Sequence, residues 1–295
     1  MDKLINKYHK AKTDVEYKAI VEEIAKKSDA LYNAETLKKI FSLIDLTTLN
    51  STDDESRGIK FAQNVNGMKE KFPFMPDVAA ICIYPTLVES VRKTLTVKNV
   101  QIASVTAGFP SSQTFISIKS AESKMAIEKG ADEIDIVISI GKFLSGNYQF
   151  VADEISIIKQ TIGEKHVKVI LETGALNTAE NIRLASLLAM EAGADFIKTS
   201  TGKMEPAATP EAMYVMCEAI KDFYNNTGKK IGIKPAGGVA TPKQSLIYYS
   251  IVKEVLGEEW INSHLFRIGA SRLANSLIED ILLLETGEKK TVSYF

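Results

Sequence analysis

The chain has 295 residues, with 36 Lys and Arg against 37 Asp and Glu for a formal net charge of −1, and it is 45% hydrophobic and 25% charged. These ordinary globular values exclude a collagen-like repeat, a long disordered chain and a strongly basic nucleic-acid binder. The two cysteines, Cys82 and Cys217, are far apart in sequence, which excludes a disulfide scaffold or thiolate metal site and points to a reducing compartment.

The opening residues from Met1 to Lys3 lead into no apolar stretch with a cleavage site, and no apolar run reaches the ~18 residues of a membrane span. A cytoplasmic protein without membrane contact is therefore expected. The triplets Asn50-Ser51-Thr52 and Asn225-Asn226-Thr227 match a glycosylation pattern that is common by chance and silent without secretion. In residues 1–36, Tyr17, Ile20, Val21 and Ile24 follow helical spacing among charges and predict an amphipathic helix. Its apolar stripe must be covered, either by the N-terminal face of the domain that follows or by a neighbouring subunit.

From about residue 41 onward, β-branched apolar runs alternate with amphipathic helical stretches. The runs are Phe41 to Leu49, Ala79 to Pro85, Gln101 to Phe109, Glu133 to Ile140, Val167 to Thr173, Asp195 to Thr201, Lys230 to Ala236 and Phe266 to Ser271. Segments such as Glu180 to Glu191 and Pro242 to Leu256 carry the helical pattern between them. Eight such β/α units predict an α/β fold of the (β/α)8 TIM-barrel class, spanning residues 37–295 behind the helical extension 1–36. On pattern alone, a doubly wound open sheet is the alternative.

Asp45, Asp135, Lys168, Glu172, Lys198, Lys234 and Arg267 are charges within these apolar runs, where burial demands partners. Lys198 and Lys234 fall at comparable depth on consecutive strands, which brings both within reach of one pocket. Two ammonium groups so close, and desolvated, favour the neutral form of one, and a neutral amine is what a Schiff-base nucleophile requires. His9, His166 and His264 show no metal-ligand spacing, and no GxGxxG or P-loop sequence follows a strand. No metal or cofactor is expected. Ala236-Gly237-Gly238-Val239, Gly269-Ala270-Ser271 and Thr201-Gly202-Lys203 follow late strands. Small residues there let backbone N–H groups approach a phosphate, in the region where many barrels hold one.

With these residues in view, the chain resembles the deoxyribose-phosphate aldolase family from Asp45 to about Leu277. The carriers are Asp45-Leu46-Thr47-Thr48-Leu49, Cys82-Ile83-Tyr84-Pro85, Gly130-Ala131-Asp132-Glu133-Ile134-Asp135 and Lys168-Val169-Ile170-Leu171-Glu172-Thr173, followed by Phe196-Ile197-Lys198-Thr199-Ser200-Thr201-Gly202, Lys234-Pro235-Ala236-Gly237-Gly238 and Arg267-Ile268-Gly269-Ala270-Ser271. The resemblance implies a class I aldolase that reversibly cleaves 2-deoxy-D-ribose 5-phosphate to acetaldehyde and D-glyceraldehyde 3-phosphate in deoxyribonucleoside catabolism. It implies the barrel, phosphosugar and aldehyde substrates, and a homo-oligomer.

Carried over by motif, Lys198 resembles the Schiff-base lysine, Lys234 its partner, and Asp135, rather than Asp132, the proton-relaying carboxylate. Asp45 and Thr47 resemble contacts to the substrate hydroxyls. Gly202, Lys203, Gly237, Gly238, Gly269 and Ser271 resemble a phosphate cradle, Lys168 a supporting charge and Cys82 a near-site thiol. The chain departs from the pattern where Val239-Ala240-Thr241 stands in place of an arginine after the two glycines, and Arg272 is the candidate to restore that charge. The ending Val292-Ser293-Tyr294-Phe295 places Tyr294 as a possible proton donor on a mobile tail. A phosphosugar-binding sensor without turnover and another lysine-dependent lyase are the competing readings.

Overall fold

The computed structural model describes residues 7–295. Eight strands form one parallel sheet: β1 Ile44–Thr47, β2 Ala80–Ile83, β3 Gln101–Val105, β4 Glu133–Val137, β5 His166–Ile170, β6 Phe196–Lys198, β7 Gly232–Lys234 and β8 Ile268–Ala270. Each pairs with its successor through β7, and β8 returns to β1 at Ile44↔Ile268. Bridges Ile233↔Phe266 and Ala236↔Gly269 join β7 to β8. The ring rules out the open sheet, and the strands follow the predicted runs, β5 beginning one residue early at His166.

The helices between strands begin where the sequence supplies caps. Asp54, Thr178, Thr209 and Thr241 each accept from a backbone N–H three residues on, and Pro210 and Pro242 occupy first turns where a missing N–H costs nothing. These starts lie beyond the C-terminal ends of the preceding strands, so the polar helix ends gather at one mouth of the barrel. Strands β2 and β4 are buried along their whole length, so a charged side chain directed inward must find its counter-ion inside.

The barrel floor depends on one close approach. A Cβ on Gly232 would stand 2.3 Å from Phe196 Cε1, so only glycine leaves room for that ring. Lys168 Nζ and the Arg267 guanidinium carbon lie 5.7 and 5.8 Å from the ring centroid, within cation–π range.

The predicted N-terminal helix forms over Asp14–Ser28, opened by a reciprocal Thr13/Glu16 capping box, and buries Tyr17, Val21 and Ile24. Its location differs from expectation: it packs on the outer helices Pro210–Thr227 and Pro242–Leu256, on the flank of the barrel. Tyr214 and Glu218, one helical turn apart, explain the choice. The Tyr17 ring lies 5.9 Å from that of Tyr214, and its hydroxyl donates to Glu218 at 2.8 Å. The helix Ala34–Phe41 runs through the expected boundary after residue 36 and packs on the last helix, Arg272–Thr286.

Among the described residues no helix is long and apolar enough to cross a membrane.

Candidate active site

At the barrel mouth a cavity of about 240 Å³ is lined by Thr47, Arg57, Lys198, Gly202, Lys203, Gly237, Gly238, Gly269, Ser271 and Arg272, among others. The three loop segments expected to form a phosphate cradle therefore converge. Gly202 and Gly237 both take left-handed φ values, 75° and 85°, and a Cβ on Gly237 would fall 2.7 Å from Ala207 Cβ and 3.0 Å from Gly202 Cα. Side chains there would hold the loops after β6 and β7 apart.

Beneath the cavity lies a buried cluster of charges from six strands or their immediate approaches. Lys198 and Lys234 both donate to Asp135 Oδ2, each at 2.8 Å. Lys168 Nζ donates to Asp135 Oδ1 at 3.2 Å and to Glu133. Arg267 donates to Asp45 Oδ1 at 2.6 Å and to Glu133 Oε1 at 2.9 Å, and Lys234 also pairs with Asp45. None of the seven is more than 3% exposed. Register explains the convergence: Asp135 pairs with Lys168, Lys198 with Lys234, and Asp45 with Gly269.

For Asp45, Glu133, Asp135, Lys168, Lys234 and Arg267, burial opposes the charge and the partners outweigh it. Lys168, Lys198 and Lys234 hold the Asp135 carboxyl well below the usual carboxylate range, and Lys168, His166 and Arg267 do the same for Glu133. Against its own desolvation, Lys234 is raised by Asp135 and Asp45. This corrects the expectation that the two lysines act on each other as bare like charges, because a carboxylate oxygen stands between them.

Lys198 alone of the cluster lines the cavity. Asp45, expected to touch substrate, does not line the cavity, and neither do Lys168, expected as a supporting charge, or Cys82, expected as a near-site thiol; all three are fully buried below it. Asp45 is held by Arg267 and Lys234, and Lys168 by Glu133 and Asp135. Cys82 packs with Leu49, Ala103 and Val105, and burial pushes its thiol up. Asp132 lies apart from the cluster, bound to Arg92 and to the backbone N–H of Ile102 at 2.9 Å.

Tyr294, expected as a proton donor on a mobile tail, does not line the cavity in this structure. Its ring stands 5.5 Å from that of Phe72, ahead of β2, and its hydroxyl donates to the Asn64 carbonyl at 2.6 Å. Asn275 Oδ1 accepts from the backbone of Tyr294 and Phe295 at 3.0 and 3.1 Å, which anchors the tail on the outer wall.

Three residues gain a role that the sequence did not assign. Glu133 completes the cluster, and Arg57 joins Arg272 at the mouth, in the first turn of helix Glu55–Asn66. An arginine in the first turn after β1 was the available signal. Glu172, in a left-handed conformation at φ 56°, accepts from Thr201 N at 3.1 Å and from its hydroxyl, and so fixes the loop that carries Gly202 and Lys203.

A DeoC/LacD family aldolase model matches residues 39–254. The deoxyribose-phosphate aldolase of Homo sapiens is 42% identical over 87% of this chain and 84% of its own. A crystal structure from Toxoplasma gondii ME49 matches with a TM-score of 0.78 at 20% identity, over 87% of this chain and 97% of the other. A tetrameric deoxyribose phosphate aldolase from Aeropyrum pernix matches at 0.65 and 20% identity, over 90% and 99%. At those identities the two structures speak for the fold.

Proposed function

Because the chain belongs to the DeoC/LacD family of aldolases, which are carbon–carbon lyases, we propose that it cleaves 2-deoxy-D-ribose 5-phosphate through a Schiff base on Lys198. The observation that carries the reading is the position of Lys198, the one amine of the buried cluster that reaches the cavity while sharing Asp135 Oδ2 with Lys234.

The neutral Lys198 amine attacks the aldehyde carbon of the open-chain sugar to give a carbinolamine. Loss of the hydroxyl as water, with a proton from the Asp135/Lys234 pair through solvent, leaves an iminium. A base takes the proton of the C3 hydroxyl, the C2–C3 bond breaks, and its electron pair moves into the iminium to form an enamine. D-glyceraldehyde 3-phosphate departs. Protonation of the enamine carbon and hydrolysis release acetaldehyde and restore the amine.

When Lys198 gives up its charge, Asp135 loses one of the three cations that hold it ionised, and it accepts a proton more readily at the step that needs one. The glycine loops with Lys203, Ser271, Arg57 and Arg272 are assigned to the 5-phosphate, the two guanidinium groups standing in for the arginine missing after Gly238.

The same reading places the enzyme in the cytoplasmic breakdown of deoxyribonucleosides, acting as a homo-oligomer. Exposed apolar residues on helix Ile116–Glu128 and its N-cap, Met125 at 60% and Phe115 at 81% exposure, with Phe150 and Ile157 on the adjacent helix Tyr148–Ile162, support self-association, which sedimentation measures directly.

The test of the chemistry is borohydride reduction with acetaldehyde or the phosphosugar, in chelator, followed by peptide mapping and an assay for released glyceraldehyde 3-phosphate. An adduct on Lys198 with product in the untrapped control is expected. Binding without adduct or product would overturn the aldolase reading in favour of a sensor.

A further inference from the structure

Counted by charge, the buried cluster does not balance. It holds three carboxylates, Asp45 from β1 and Glu133 and Asp135 from β4, against four cations, Lys168 from β5, Lys198 from β6, Lys234 from β7 and Arg267 ahead of β8. β2 adds only the Cys82 thiol, and β3 adds no ionisable group. The nearby carboxylate of Glu172 is turned to Thr201 and makes no ion pair with the cluster. His166 stands at the outer edge, its Nδ1 3.6 Å from Glu133, with a 44% exposed side chain.

We propose that Arg267, in the layer below the cavity, sets the charge state of Lys198 by giving the buried cluster one cation more than it has carboxylates. This rests on the Schiff-base reading and supplies its missing cause. A desolvated cluster favours neutrality, and a guanidinium does not release its proton. Lys168 touches Glu133 and Asp135 and lies 4.0 Å from Asp45, and Lys234 touches Asp135 and Asp45, so each is held by at least two carboxylates. Lys198 touches one, and it opens onto the cavity, where its proton can leave to solvent. The excess is therefore relieved at the amine that must be neutral to attack. Without Arg267 the remaining three lysines would balance the three carboxylates, and Lys198 would stay charged. Arg267 acts through Asp45 and Glu133, with no contact to the cavity, and is a positioning residue for charge.

The experiment follows imine trapping by acetaldehyde and borohydride from about pH 5 to about pH 10 in the full chain, with the modified lysine mapped at each midpoint. Arg267→Met removes the excess and is expected to move the trapping midpoint up by about one pH unit or more, which costs about tenfold in rate at any pH on the limb. Glu133→Gln enlarges the excess and moves the midpoint down. The double substitution restores the excess of one and returns the midpoint to that of the unaltered enzyme, a rescue that structural damage does not produce.

Parallel shifts, or midpoints indifferent to both substitutions while Lys198 is still trapped, would overturn the inference and leave the aldolase reading standing. Trapping on another lysine, or on none in the unaltered enzyme, would overturn the reading itself. Circular dichroism checks folding. Should one single variant fail to fold, the other decides by its direction, and should both fail, a shifted midpoint in the double variant counts against the inference.

Discussion

Lys198 and Lys234 sit opposite each other in register and donate to the same oxygen, yet they occupy different chemical positions. Lys234 is sealed between two carboxylates, whereas Lys198 has one and faces the cavity. Lys198→Met is therefore expected to abolish trapping and lower turnover by about a thousandfold or more while the chain still folds, which paired assays of activity and melting would check.

The same cluster fixes how stability follows pH. Asp135 and Glu133 are lowered in the folded chain and return to about 3.9 and 4.3 on unfolding, so their contribution is whole above that range and is lost as pH falls through the folded values. Lys168 and Lys234 are raised, so theirs is whole below about 10.4 and is lost as pH rises through the folded values. Melting temperatures across a pH series should show an acid limb that is shallower in Glu133→Gln. Cys82, buried and with its thiol pushed up, should react with a thiol reagent only as the chain unfolds.

At the scale of elements, strands and helix starts were legible because each has a local cause: β-branched runs for the strands, and Thr209-Pro210 and Thr241-Pro242 for two helix starts. The loop glycines were legible too, since small residues after late strands have few other uses at a barrel mouth. Depth was not. Sequence alternation tells that Asp45 and Lys168 point inward but not how far below the cavity they lie, and so Asp45 looked like a substrate contact while Glu133 passed as part of a motif. Arg57 and Arg272 both occupy first turns of helices at the mouth, beside the glycine loops. Arg272→Ala or Arg57→Ala is expected to raise KM for the phosphosugar by about tenfold with little change for unphosphorylated deoxyribose. Equal effects on both substrates would remove the phosphate assignment.

Across the whole molecule, the amphipathic stripe of Asp14–Ser28 foretold that this helix would dock but not where, because its partners Tyr214 and Glu218 lie about two hundred residues away and advertise nothing locally. Deleting residues 1–32 uncovers that flank and is expected to lower the melting temperature by about 5 °C or more, with trapping at Lys198 retained, as thermal melts alongside reduction would show.

The bond from Arg267 to Asp45 spans 222 residues, and that from Tyr294 to Asn64 spans 230, so the seam between β8 and β1 joins the two ends of the barrel sequence. During folding, contacts so distant along the chain bear the largest loop-closure cost and form after the local β/α units have assembled. The seventh member of the charge cluster arrives with that last seam. A partly assembled barrel therefore lacks the cation that unbalances its interior, and a competent amine comes into being only when the ring shuts.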